Sequence, residues 1–293
     1  MAELPVAATA RPGWLAGRST RALLGRAAVF VVVGLLAVAY LVPFLWMLST
    51  SLKTPDQLFT FPVQWVPSPI ALANYPEALG ALPFALFARN TAVITLTAMV
   101  GDVVTATLIA FGFARLQFPG RDALFMTVLA TLLLPFQVTM IPVFIGWRSL
   151  DLVDTFWPLI VPAYFGNPFY IFLMRQFFMA IPVDLEDAAR VDGASSLTIL
   201  WRIFAPLSVP AIATVAIFSF LAHWNDYFNP LIYLNSKETK TLALGLHLFR
   251  GEFANEWNLM MAAAICVLLP CLIVFFFAQR TFVQGIVMTG LKE

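Results

Sequence analysis

The chain consists of long, almost charge-free apolar runs joined by short polar connections, without the strict alternation of half-buried strands. A bilayer core about 30 Å thick needs about 20 apolar residues per helix. Six stretches offer that length: Ala27 to Ser49, Asn90 to Phe113, about Ala123 to Trp147, Phe156 to Met174, a fifth contained within Ile203 to about Leu234, and Asn258 to Ala278. They predict helices, because the strands of a transmembrane barrel are about 10 residues long and alternate in polarity. The first run is too long, and lacks the small-residue cleavage pattern, for a removable signal peptide. The expected fold class is an all-α polytopic membrane protein with six transmembrane helices. The segment from Ser51 to about Phe84 carries Pro62, Pro67, Pro69, Pro76 and Pro83 with Trp65 and Tyr75. It predicts an ordered but irregular cap over one end of the bundle. Residues 1–26, rich in Ala, Arg and Gly with no apolar period, predict a mobile cytoplasmic tail. Residues 27–293 then form the transmembrane domain.

Composition agrees with this pattern. At 61% hydrophobic and 11% charged, with a mean hydropathy of +0.86, the 293-residue chain lies far from a soluble domain, a disordered segment or a secreted disulfide scaffold. Seventeen basic against sixteen acidic residues give a net charge of +1, which offers no reason to invoke nucleic acid. The placement of the basic residues is more informative, because Lys and Arg are retained on the cytoplasmic side. One set of connections collects Arg11, Arg18, Arg21, Arg26, Arg115, Arg121, Arg175, Arg190, Arg202, Arg280 and Lys292; the other collects Lys53, Arg89, Arg148, Lys237, Lys240 and Arg250. That asymmetry predicts cytoplasmic N and C termini.

Two cysteines inside one apolar run, Cys266 and Cys271, read as packing or lipid-facing residues. Two isolated histidines, His223 and His247, and the absence of HExxH or paired CxxC motifs point away from a metal site. No GxxxxGK[ST] is present, so the chain has no P-loop of its own for ATP.

The most informative stretch lies between the fourth and fifth runs, from Ile181 to Ser196. Pro182 suits a first helical position, and Asp184, Glu186 and Asp187 place negative charge where a helix dipole favours it. Gly193 permits the left-handed residue that ends a helix, and Ser195 or Ser196 caps the next. The prediction is a short helix, a sharp turn and a second short helix, with Leu185, Ala188 and Ala189 as a small apolar face for a groove on another protein.

Pro182, Asp184, Leu185, Asp187, Ala188, Ala189, Asp192, Gly193 and Ala194, followed by Pro206, Leu207 and Pro210, resemble the EAA loop of permease subunits in binding-protein-dependent ABC importers. Asp184 and Asp187 stand where that family usually has Glu, one methylene longer. The resemblance extends from about Leu41 to Lys292 and looks like the carbohydrate branch of maltose and glycerol-phosphate type. It includes Ser51-Leu52-Lys53-Thr54, Phe113-Ala114-Arg115 with Phe118-Pro119-Gly120-Arg121, Pro135 with Gln137, Trp224-Asn225-Asp226, and Phe282-Val283-Gln284-Gly285 with Gly290. It implies a type I, MetI-like permease fold in a bacterial or archaeal cytoplasmic (inner) membrane. It also implies that Asp184 to Ala194, including Glu186 and Arg190, couple to a cytoplasmic ATPase dimer, within a loop spanning about 181–210. The partners implied are a second homologous permease, that ATPase, an extracytoplasmic solute-binding protein and a sugar-like solute. ATP and Mg would sit on the ATPase, with no cofactor in this chain and no covalent chemistry.

Polar groups at membrane depth are candidates for a solute path. Asp102 is either a buried acid bonded to a neighbouring helix or a group acting on solute or gate, and no basic residue is its obvious partner. Trp224, Asn225, Asp226, Tyr227 and Asn229 combine hydrogen-bonding groups with flat rings, as a sugar site does, but equally suit an interfacial aromatic belt. Gln137, between Pro135 and Pro142, suits backbone groups released by proline. The alternative of a secondary transporter would need internal coupling, for which Asp102 is the one good candidate and no internal repeat is evident. A membrane-embedded enzyme would need clustered nucleophile, base or metal ligands, and the scattered histidines do not supply them.

Overall fold

The computed structural model describes residues 14–252 and 256–290; the expected tail residues 1–13 and Lys292 lie outside them, as do the side chains of the Phe282–Gly290 signature. Among the described residues the regular structure is helical, without strands. Three helices are long and apolar enough to cross a membrane alone, and six crossings result if each of three sharply bent helix pairs counts as one.

The first long helix, α1 (Trp14–Ser51), takes in residues 14–26 and packs along the last helix while leaving its apolar surface largely uncovered. The segment that follows it is irregular, as its prolines predict, and is pinned at its end by α2 (Asn74–Ala81). Asn74 Nδ2 donates to the carbonyls of Ser51 and Lys53 at 2.9 and 2.8 Å, and Asn258 Nδ2 donates to Asn74 Oδ1 at 3.1 Å. Lys53 is buried, with its ammonium 4.2 Å from the Trp46 ring centroid.

The central helix is α3 (Phe84–Arg115). Its Ala98, Ala106 and Ala110 are fully buried, and such small residues let neighbouring backbones approach closely. The third run is not the straight span its composition suggests. It divides into α4 (Arg121–Ala130), extended by a tighter turn to Leu133, and α5 (Phe136–Ser149), with a 97° bend between the halves. Pro135 is the physical reason: it has no N–H to continue the ladder, and it forces Leu134 into extended backbone (φ −78°, ψ 114°).

The fourth run outlasts its apolar stretch. It comprises α6 (Trp157–Ile160), a 3-10 turn from Val161 to Phe165, and α7 (Pro168–Ala180). Asn167 caps α7 by accepting from Phe169 N at 3.0 Å. After α8 (Asp184–Val191), the segment expected to hold one fifth span becomes three pieces. α9 (Ser196–Ile199), a π turn over Leu200–Phe204 and α10 (Ala205–Leu207) run into Ser208, where the chain turns 81° into α11 (Val209–Trp224). Helix α11 stops ten residues short of Leu234, and α12 (Phe228–Tyr233) follows a break at Asn225–Tyr227. The chain closes with α13 (Leu242–Glu252) and α14 (Trp257–Gly290).

Helix α3 packs against α7 and α11, and three buried clusters divide the bundle, the smallest of them around Ile94, Leu159 and Tyr233. Near α8, Phe111, Phe178 and Phe204 meet in edge-to-face pairs with centroids 5.2–6.2 Å apart. At the far end, Phe84, Phe87, Trp224, Phe249 and Leu259 pack together. Gly245 of α13 lies so close to this second cluster that an added Cβ would stand 2.6 Å from the Phe87 ring, which is fully buried and has no room to move. Gly245→Val should therefore cost about 1–3 kcal/mol through overpacking. Gly112→Ala, which meets nothing within 4 Å, should be neutral or mildly stabilising; thermal unfolding in detergent compares the two.

Candidate functional site

Helix α8 is built from local signals and is hung from the bundle by one arginine. It begins at Asp184, two residues after Pro182, with the Glu186 and Asp187 amides donating to Val183 O at 2.8 and 3.0 Å. Asp184, Glu186 and Asp187 all lie in its first turn, where the dipole is positive. Its other end is a Schellman motif: Ala194 N donates to Ala189 O at 2.9 Å and Gly193 N to Arg190 O at 3.0 Å. Gly193 takes φ +80°, the left-handed conformation that a side chain disfavours. Ser195, not Ser196, caps α9 by accepting from Thr198 N at 3.3 Å.

The helix has two unlike faces. Asp184, Leu185, Asp187, Ala188, Val191 and Asp192 are exposed, with Val191 87% and Leu185 44% accessible. Glu186 is only 4% exposed and Ala189 packs on the nearby core, so these two face the bundle. This corrects the expected apolar face: Val191 joins Leu185 and Ala188 on it, and Ala189 leaves it.

Glu186 is held on both sides. Arg190 donates to its Oε1 through Nη2 at 2.7 Å and Nε at 3.1 Å, and Arg115 Nη1 lies 3.9 Å from its Oε2. Arg115, the last residue of α3, also donates through Nη2 to the carbonyls of Phe178 (2.5 Å) and Ile181, and its guanidinium lies 4.7 Å from the Phe204 ring centroid. Beside it, Arg175 donates to Phe113 O at 3.2 Å. Between the Leu116–Arg121 turn and the Val183, Asp187 and Arg190 side of α8 opens a polar cleft of about 680 Å³. In the sequence Arg115 stood out only through the charge asymmetry and the Phe113-Ala114-Arg115 resemblance, neither of which pointed to α8.

Within the bundle, Asp102 does have a basic partner. Its Oδ2 accepts from Ser219 Oγ at 2.7 Å and lies 3.1 Å from His223 Nε2, so the acid ties α3 to α11. Neither Ser219 nor His223 stood out as its partner, since they lie 117 and 121 residues away. The remaining path candidates do not gather around Asp102. Trp224 donates through Nε1 to Val267 O at 3.1 Å and stacks on Phe220, while Asn225 Nδ2 donates to Leu221 O at 2.9 Å. Asp226 caps α12, accepting from Asn229 N at 3.2 Å and Asn229 Nδ2 at 2.8 Å. Tyr227 lies against the His247 ring, 5.4 Å between centroids. Gln137 is exposed at the start of α5 and makes no hydrogen bond among the described residues, so it does not serve the backbone groups that Pro135 releases.

At the end of the molecule opposite α8, Asp154 fastens the connection after α12. Its Oδ1 accepts from Asn235 N (2.8 Å), Ser236 N (3.0 Å) and Thr239 Oγ1 (2.7 Å), and its Oδ2 from Ser236 Oγ. Burial by itself would raise the carboxyl's pKa, but the donors from Ser236, Thr239 and Asn235 prevail and hold it at about 2, below its ordinary 3.8. From the other side, Asn90 Nδ2 donates to the carbonyls of Glu238 (2.7 Å) and Lys240 (3.0 Å).

The described residues thus form a helical bundle of apolar spans that carries a short, exposed, acid-bearing helix on a turn between two of them. Residues 102–287 match the family model of the binding-protein-dependent transport system inner membrane component, and the chain belongs to that family. It is 31% identical to the sulfoquinovosyl glycerol transport system permease protein SmoH of Agrobacterium fabrum, over 92% of this chain and 94% of that one. It is 32% identical to the arabinooligosaccharides transport system permease protein AraQ of Bacillus subtilis, over 88% and 92% respectively. A bacterial ABC transporter that imports the acidic polysaccharide alginate contains a chain with the same fold, at a TM-score of 0.78 and 26% identity over 90% of this chain and 97% of that one. The chain is thus an ABC importer permease, a transport subunit and not an enzyme, and ATP hydrolysis belongs to a separate subunit.

The Asp154 network makes a prediction about the connection it holds. Because its pKa is lower folded than unfolded, its contribution is complete above about pH 3.8 and is lost as pH falls through 2. Asp154→Ala should speed hydrogen exchange at the Asn235 and Ser236 amides about tenfold or more at neutral pH, as expected for loss of bonds to a charged acceptor. The native protein should show the same loosening only in strong acid.

Proposed function

We propose that this chain is the six-span permease of a carbohydrate importer in a bacterial or archaeal cytoplasmic membrane, with both termini in the cytoplasm. On this reading it pairs with a second, homologous permease, and each docks its short helix into one copy of an ATPase dimer. An extracytoplasmic binding protein delivers a sugar or sugar-like solute to the opposite face. The observation that carries the reading is α8: a stiff eight-residue helix closed by a Schellman turn, with Leu185, Ala188 and Val191 exposed among Asp184, Asp187 and Asp192. Three straight helices, the Trp157–Ala180 segment and two bent pairs supply the six spans of this reading, and the basic residues of the Leu116–Arg121 turn and of α8 lie at the same end. Relatives named for arabinooligosaccharides and for sulfoquinovosyl glycerol favour a hydroxyl-rich solute.

Asp102, Ser219 and His223 form the polar point of the proposed path. From the α8 end, Asp102 lies 13 residues up α3 and His223 lies 14 residues up α11, each about 20 Å at 1.5 Å per residue. That depth is where α11 ends and the backbone at Asn225–Tyr227 leaves the helix, and irregular backbone at membrane depth is tolerated where it lines a cavity or is buried in protein.

Tagging the chain in its native host and identifying stoichiometric co-purifying proteins tests the assembly. A second permease and a P-loop ATPase are expected; recovery of this chain alone, still transporting when reconstituted, would overturn it. Gly193→Pro cannot adopt φ +80°, and Asp187→Arg reverses an exposed charge, so both should abolish uptake while the chain still inserts. Asp102→Asn should raise the KM for solute uptake while ATP hydrolysis driven by loaded binding protein continues; an unchanged KM would leave Asp102 a purely structural tie.

A further inference from the structure

We infer that Arg115 is the joint through which displacement of α8 reaches the membrane helices, a positioning residue that sets how tightly ATP hydrolysis is coupled to transport. The inference rests on the proposed docking of α8 to an ATPase and adds to it the route by which the motion leaves the helix.

A docked helix moves the bundle only if something stiff connects the two. Covalently, α8 hangs between Ile181–Val183 and Gly193–Ser195, two non-helical links that bend more readily than a helix. The side-chain connection is Arg115. It ends α3, caps carbonyls at the end of α7 through Nη2, faces Glu186 of α8, and lies on Phe204 in the π turn beyond α9. One guanidinium therefore joins the end of α3, the end of α7 and the π turn at Phe204 to the docking helix. The planar fork of Arg suits this work, since a Lys ammonium offers a point charge with no fixed plane.

The contacts are unequal. Nη2 is committed to the α7 carbonyls, whereas Nη1 stands 3.9 Å from Glu186 Oε2, beyond hydrogen-bond length, and the buried Nε has no hydrogen-bond partner. Arg115 is thus anchored on the α7 side and has unused donors available to a carboxylate that moves with α8. Glu186 is braced by Arg190 one turn on, so the carboxylate travels with the helix and does not swing freely. In this arrangement a shift of α8 closes or opens the Glu186 contact while α3 and α7 stay locked together, a discrete rearrangement of the kind that transmits switching.

The test uses the complete importer in proteoliposomes and measures moles of solute moved per mole of ATP hydrolysed, alongside cross-linking of a cysteine at Val191 (Val191→Cys) to the ATPase. Arg115→Met and Glu186→Gln should each lower that ratio about tenfold, within the usual span of coupling between sites, while the cross-link forms at the yield of the parent protein. Combining them should give little further loss, and Arg115→Lys should fall between parent and Met. Glu186→Gln leaves the Arg115 bonds to α7 intact, so it provides an answer even if Arg115→Met fails to assemble. An unchanged ratio in Glu186→Gln would overturn the inference, as would losses that add fully in the double variant. Absence of the Val191 cross-link in the otherwise unaltered importer would instead overturn the docking reading.

Discussion

In hydrocarbon, a peptide N–H or C=O without a partner costs several kcal/mol, so a spanning chain must satisfy its own backbone or bring side chains to every interruption. This permease interrupts its helices often, and several interruptions are met by a side chain from elsewhere. The 3-10 turn between α6 and α7 leaves Ala163 O to accept from Thr105 Oγ1 at 3.1 Å, and Tyr164 returns a bond to Thr97 O at 3.0 Å. The end of α7 is met by Arg115, and the break after α11 by Asp226. Helix α3 supplies two of these side chains, Thr105 and Arg115, together with the Thr97 carbonyl that receives Tyr164, which makes it the post on which the irregular pieces hang.

The same constraint explains why the interior Asp102–His223 contact lies where it does. An unpaired carboxylate in the bilayer is expensive, and Asp102 escapes that cost through Ser219 and His223 on the facing helix. Helices α3 and α11 are joined both at this depth and in the buried cluster near α8, where Ala211 and Val215 pack with Ala106, Ala110 and Phe111, so they form a continuous unit. On the coupling proposed above, a motion entering at α8 would be conveyed along that unit.

Helix α8 differs from the spans both in what stabilises it and in what it exposes. Its stability comes from local punctuation, with acids in the first turn and a glycine-closed end, and it presents small apolar side chains among carboxylates to the outside. Glu186, although adjacent to Asp187 in sequence, belongs to the opposite task of fastening the helix to the bundle. The shorter acids at Asp184 and Asp187 lie on the exposed side, where losing one methylene changes reach to a partner and leaves the internal fastening untouched.

Sequence alone determined the features that depend on neighbours a few residues apart. The apolar runs follow from composition, the short helix from its acids and Pro182, its stop from Gly193, and the next cap from the Ser195–Ser196 pair, between which the structure selects Ser195. Tertiary structure decided what depends on distant partners or on choices between near-equal geometries. Hydropathy does not report the 97° bend before α5 or the 81° turn at Ser208, because a bent helix is as apolar as a straight one. Nor does it pair Asp102 with His223, 121 residues away, or Arg115 with the carbonyls of Phe178 and Ile181, 63 and 66 residues away. Those contacts arise only when packing brings α3, α7 and α11 side by side. The orientation of α8 was likewise settled by Glu186 turning inward to two arginines, a selection made by burial and charge that the helical repeat leaves open.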